Sequence, residues 1–220
     1  MMRHDAIDVF KTGIYAITPD INDSDRLVFM VEQALSGGVR LFQYRNKVSA
    51  PDQRRLVAQR LNDIIESSGG SLIINDDPQL AKAVSARGVH IGKEDAALEI
   101  ARDILGPSKI IGVSCYDNLP MALEMQSRGA DYLAFGAFFP SLSKSTATPV
   151  SLDILGLART SGIKIPIVAI GGVTLNNAEE LLIRGSSSLA VINGLFGVDD
   201  VASRAREWTS LYCQFKSVLN

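Results

Sequence analysis

A single (β/α)8 TIM barrel spanning residues 1–220 is the fold this sequence predicts. Short β-branched apolar runs alternate with longer stretches of helical spacing from Gly13 onward. The alternation is strict, which argues for a parallel sheet. It repeats eight times at about 27 residues per unit with no interruption, which favours a closed barrel over a doubly wound sheet.

The elements follow in order. A strand at 14–18 leads to a helix at 25–36, closed by Gly37-Gly38. A strand at 40–44 leads to a helix at 51–67, where Leu56, Leu61, Ile64 and Ile65 recur at helical spacing before Gly69-Gly70. The run Leu72-Ile73-Ile74 in the strand at 72–75 is apolar throughout, as a strand buried on both faces requires. Asp77 then suits an N-cap, Pro78 suits the first position of a helix at 78–86, and Gly88 follows. The strand at 89–91 is paired with a helix at 96–105 ending before Gly106, and the strand at 110–114 with a helix at 119–128 before Gly129. The strand at 132–136 precedes a helix at 152–161 and Gly162. The strand at 167–170 precedes a helix at 176–184 and Gly185, and the strand at 189–192 precedes a helix at 199–216. Glycine after so many helices is read as a left-handed C-cap. The Ser/Thr-rich stretch 141–149 reads as a mobile loop.

Composition narrows the class. Apolar residues make up 46% and charged residues 21%, as in a soluble globular chain. A net charge of -2 gives no reason to expect a nucleic-acid partner, so any phosphate must be held by a local site. No apolar run reaches membrane-spanning length, and the opening residues carry acids where a signal peptide has its apolar core. Cys115 and Cys213 lie far apart without metal-ligand spacing, so the chain is expected in the cytoplasm with reduced thiols. A homo-oligomer is compatible with this pattern, which selects no oligomeric state.

Polar residues collect just past the strands, at the end where such barrels carry their active sites. With Asp77 as cap, Asp76 has no capping role, and Asp95 follows the next strand. Two carboxylates on one rim suit Mg²⁺, which takes oxygen ligands and completes its shell with water and substrate phosphates. Asp95 also suits a helix cap, and Asp76 also suits an ordinary solvated loop. Gln43, Arg45 and Lys47 are two apart on an extended chain and project together, as a clamp for an anion beside a metal would. Ser114 by itself reads first as a helix cap, and His90, within its strand, as a residue of the barrel interior ahead of a catalytic base. Gly171-Gly172 after strand seven, with Ile192-Asn193-Gly194 after strand eight, would let backbone N–H groups approach a phosphate.

In order and at strand ends stand Gln43-Tyr44-Arg45-Asn46-Lys47, Ile74-Asn75-Asp76, His90-Ile91-Gly92-Lys93-Glu94-Asp95, Gly112-Val113-Ser114, Gly136-Ala137-Phe138-Phe139-Pro140-Ser141-Leu142-Ser143-Lys144 and Ile170-Gly171-Gly172. With these motifs the chain resembles the thiamine-phosphate synthase family over nearly its whole length. The resemblance implies that 4-amino-5-hydroxymethyl-2-methylpyrimidine diphosphate is joined to 4-methyl-5-(2-hydroxyethyl)thiazole phosphate, giving thiamine phosphate and pyrophosphate. It implies Mg²⁺ on Asp76 and Asp95. Gln43, Arg45, Lys47, Asn75, Ser114 and Lys144 are implied around the pyrimidine diphosphate, with Arg45, Lys47 and Lys144 stabilising the leaving group. Ser141, Ser143, the main chain of Gly172, Ile192 and Asn193 are implied around the thiazole phosphate. The partners implied are these small molecules, with no nucleic acid and no membrane.

Some positions depart from the family pattern. Ser141 and Ser143 stand where Thr is frequent, Asn193 where Ser is common, Lys93 where Gln is frequent and Tyr116 where His is frequent. The competing readings are a thiazole tautomerase-like isomerase, which would use a histidine near the end of strand five, and a non-catalytic regulatory barrel, which would lack a carboxylate or Lys144. A sugar-phosphate isomerase or aldolase barrel would need a base or a Schiff-base lysine on a strand, and no lysine lies in any strand expected here.

Overall fold

Eight parallel strands pair in sequence order, and the eighth closes on the first. In this computed structural model the residues described are 8–11, 13–92, 98–140 and 149–219. The strands are β1 (Tyr15–Ile17), β2 (Leu41–Tyr44), β3 (Ser71–Asn75), β4 (Gly88–Ile91), β5 (Ile110–Tyr116), β6 (Tyr132–Phe135), β7 (Ile167–Ile170) and β8 (Ser188–Val191). The helices between and after them are α1 (Ser24–Ser36), α2 (Pro51–Ser67), α3 (Pro78–Ala83), α4 (Leu98–Leu105), α5 (Leu119–Ser127), α6 (Asp153–Thr160), α7 (Leu175–Ile183), α8 (Asn193–Phe196) and α9 (Val201–Leu219). A short 3-10 helix, Asp8–Lys11, precedes β1.

The expected closed barrel forms, with strand and helix ends differing by a few residues. Each strand is buried on both faces because its outward residues meet the helices and its inward residues meet one another. Phe42, Leu72, Ile74, Val89 and Leu133 belong to the outer layer, between sheet and helices. Tyr15, Ile17, Leu41, Ile73, Tyr132 and Val168 fill the barrel itself, with Phe10 of the 3-10 helix packed among them. Asp131, 2% exposed, accepts hydrogen bonds from Arg102 Nη2 at 2.6 Å and from the Ile111 backbone at 2.8 Å, tying α4 to the base of β5 and β6.

Three local expectations need correction. Gly88 opens β4 and caps no helix; α3 stops at Ala83, and Ser85 takes the left-handed turn after it with φ 56°. In the Gly37-Gly38 and Gly69-Gly70 pairs, only Gly38 and Gly69 have positive φ. The segment after β8 carries a short helix not expected from the sequence, α8, which begins at Asn193. The 141–149 loop lies outside the described residues except for Pro149.

Candidate active site

Period-two alternation places the polar residues. Along β2 the inward positions are Leu41 and then Gln43; along β3 they are Ile73 and then Asn75. On β4 His90 pairs with Asn75 in register, and on β5 the inward series reaches Ser114. The apolar members fill the base, so the polar members form a layer at the C-terminal mouth. That layer floors a cavity of about 400 Å³. Gln43, Arg45, Lys47, Asn75, Asp76, Ser114, Gly172, Ile192 and Asn193 all line it.

The segment after β2 is held from the β1 side. Thr18 Oγ1 accepts from the Arg45 N–H at 2.9 Å and donates to the Arg45 carbonyl at 3.0 Å. Asp20 takes the Arg45 guanidinium, and its other oxygen accepts the Lys47 N–H at 3.0 Å. Lys47 Nζ lies 3.4 Å from Asp76 Oδ2, which also accepts from Asn75 Nδ2 at 2.5 Å. Asp76 itself turns with φ 64° while its N–H donates to the His90 carbonyl at 2.8 Å. Asp77 caps α3 by accepting the Leu80 N–H at 2.8 Å, as expected. The result is two cations and a carboxylate facing one space from adjacent strand ends.

The opposite side is built from backbone. Gly171 and Gly172 both have positive φ, 102° and 59°. A Cβ on Gly172 would meet Pro140 O at 2.4 Å and Phe139 Cβ at 2.7 Å, so glycine is required by close approach as well as by φ. Asn177 Nδ2 donates to the Gly172 carbonyl at 3.0 Å and fixes that turn to the start of α7. Leu195 and Phe196 bury the short α8, and Trp208 Nε1 of α9 donates to the Gly194 carbonyl at 3.1 Å. Thus the α8 terminus is anchored, with Ile192 and Asn193 at the cavity.

Beneath the cavity runs a hydrogen-bonded row. Gln43 Nε2 donates to Tyr15 Oη at 2.8 Å; Tyr15 and Tyr132 hydroxyls are 2.9 Å apart. Tyr132 Oη lies 2.8 Å from His90 Nδ1, and His90 Nε2 lies 2.9 Å from Ser114 Oγ. Burial pushes both phenols above their ordinary range, so each keeps its proton. His90 is both the interior residue expected from its strand and a part of the cavity wall.

Asp95, Ser141, Ser143 and Lys144 lie outside the described residues. Asp20, Thr18, Tyr15 and Tyr132 are absent from the sequence-based set, since each acts through a residue distant in sequence. For a divalent cation, the described residues contain no cluster of three or more His, Cys, Asp and Glu side chains. Asp76 nonetheless offers a partly exposed hard oxygen donor beside the cavity, a fit to Mg²⁺ that draws the rest of its shell from substrate and water.

A family model described as thiamine monophosphate synthase matches residues 14–195. A thiamine-phosphate synthase of Nitrosospira multiformis is 47% identical over 201 residues, covering 91% of this chain and 86% of that protein. One of Nitrosomonas eutropha is 45% identical over 202 residues, 92% of this chain and 95% of that protein. Among solved structures, thiamine phosphate pyrophosphorylase from Pyrococcus furiosus aligns with TM-score 0.83 at 33% identity, over 94% of this chain and 98% of that one.

Proposed function

The chain belongs to the thiamine monophosphate synthase family, and from that premise we propose that it joins 4-amino-5-hydroxymethyl-2-methylpyrimidine diphosphate to 4-methyl-5-(2-hydroxyethyl)thiazole phosphate. Thiamine phosphate and pyrophosphate are the products. One observation carries the reading: Arg45, Lys47 and Asp76 converge on the same cavity as the glycine turn after β7.

The leaving pyrophosphate accumulates negative charge as the methylene–oxygen bond breaks. Arg45 and Lys47 face that charge from the end of β2. Mg²⁺, held by Asp76 and by Asp95, would supply further neutralisation of the diphosphate. Gln43, Asn75 and Ser114 orient the pyrimidine diphosphate, and Lys144 is assigned to its phosphates by resemblance. The aminopyrimidine delocalises the positive charge left on its methylene, so departure precedes attack by the thiazole nitrogen. No protein nucleophile is needed, and no described strand contains a lysine.

Backbone groups at Gly172 and the Ile192-Asn193 segment, together with Ser141 and Ser143, are the groups we assign to the thiazole phosphate. Both described cysteines are free thiols, in keeping with a cytoplasmic setting. No described helix is long and apolar enough to cross a membrane. The isomerase alternative lacks its histidine, since Tyr116 stands at that place in the cavity wall.

The test is direct condensation. With both substrates and Mg²⁺, thiamine phosphate and pyrophosphate should form in equal amounts, and neither should form when one substrate is omitted. Pyrophosphate without thiamine phosphate, or no product at all, would overturn the proposal.

A further inference from the structure

Tyr132 does not line the cavity, yet its hydroxyl is the link between the two sides of the cavity floor. It is 0% exposed and lies between Tyr15 Oη at 2.9 Å and His90 Nδ1 at 2.8 Å. We propose that Tyr132 is a positioning residue that, through His90, fixes the Ser114 hydroxyl hydrogen toward the cavity. The substrate atom facing Ser114 must then be an acceptor.

The direction follows from counting hydrogens. Gln43 Nε2 donates to Tyr15 Oη at 2.8 Å, which leaves the single Tyr15 hydrogen for Tyr132. Tyr132 in turn has one hydrogen, and it goes to His90 Nδ1. An imidazole nitrogen that accepts cannot carry the proton, so the proton sits on Nε2 and is donated to Ser114 Oγ, 2.9 Å away. Ser114 has accepted at its oxygen and keeps its own hydrogen for the cavity. With the Gln43 amide nitrogen toward Tyr15 Oη, running the row the other way would set the Tyr15 hydrogen against the amide hydrogens and leave a buried donor unsatisfied. Burial keeps both phenols protonated, so each remains able to donate.

Packing holds the relay in place. The Tyr132 ring lies 4.2 Å from the Phe10 ring, edge-on to Tyr15 at 5.9 Å and stacked on His90 at 5.5 Å between centroids. Gly112 on the adjacent strand leaves room for it: a Cβ there would lie 1.9 Å from the ring. The ring therefore has one place to be. That the acceptor belongs to the pyrimidine diphosphate, whose ring nitrogens are acceptors, rests on the function proposed above.

The test needs no substrate in its first arm. The sequence contains two histidines, His4 and His90, so nitrogen NMR of histidine-labelled full-length protein shows two imidazoles, and His4→Gln assigns them. At neutral pH His90 should show a protonated Nε2 and an unprotonated Nδ1, and Tyr132→Phe should convert this signature to a tautomer mixture. A proton on Nδ1 in the unaltered protein, or a signature unchanged by Tyr132→Phe, would overturn the relay. In the second arm Tyr132→Phe should lower kcat/KM for the pyrimidine diphosphate roughly five- to tenfold, as loss of one oriented hydrogen bond would, with KM for the thiazole phosphate within about twofold. Equal losses for both substrates would mean a structural role and contradict the inference. If condensation itself is absent, the NMR arm still decides whether the relay exists.

Discussion

The guanidinium of Arg45 meets Asp20, and its backbone is pinned twice by Thr18, so its direction is set before any ligand arrives. Arg45→Ala should remove a charge-assisted contact worth on the order of 2–3 kcal/mol, a loss of roughly 30- to 150-fold in kcat/KM for the diphosphate substrate. Asp20→Asn retains a polar partner but not the charge, and a milder loss of roughly three- to tenfold in the same assay is expected. An unchanged rate in Arg45→Ala would remove the anion clamp from the account. Asn193→Ala should raise KM for the thiazole phosphate only a few-fold, about 1 kcal/mol, because main-chain donors persist there. Gln43, Arg45 and Lys47 were legible in the sequence because residues two apart on an extended chain share a face. Asp20 was not, since its contact with Arg45 spans 25 residues and exists only once β1 and β2 pair.

At the β3–α3 junction Asp77 caps the helix while its neighbour Asp76 lines the cavity. Asp77→Ala should lower stability by about 1 kcal/mol, read by denaturant unfolding, while the condensation rate stays near that of the unaltered protein. Asp76→Asn should do the reverse. The turn after β7 should tolerate less: Gly172→Val forces a side chain onto Pro140 O and Phe139 at positive φ, and soluble yield or activity should collapse. The physical cause differs from the one the sequence suggests. Gly172 reads as leaving space for a phosphate, whereas its Cβ would strike the chain after β6. The helix α8 was illegible for a simpler reason. Four residues, Asn193–Phe196, are too few to show a period, and it is tertiary burial of Leu195 and Phe196 that holds them helical.

For the whole molecule, closure of the barrel was legible because eight units repeat the same strand–helix pattern without a break. The hydrogen-bonded floor was not, since Tyr15, Gln43, His90, Ser114 and Tyr132 meet only when five different strands surround one axis. Closure also sequesters Cys115, whose thiol burial pushes up to about 12, whereas Cys213 is exposed on α9. A thiol reagent at mildly alkaline pH should therefore find one fast cysteine in the folded protein and the second only on unfolding. In the proposed mechanism pyrophosphate departs from the rim where β2 and β3 end. The most direct measurement is the rate of thiamine phosphate formation against Mg²⁺ concentration, for the unaltered protein and for Asp76→Asn. Loss of a charged oxygen ligand should raise the Mg²⁺ needed for half-maximal rate by roughly ten- to a hundredfold, with the unfolding midpoint nearly unchanged. Identical Mg²⁺ curves for the two proteins would contradict the account.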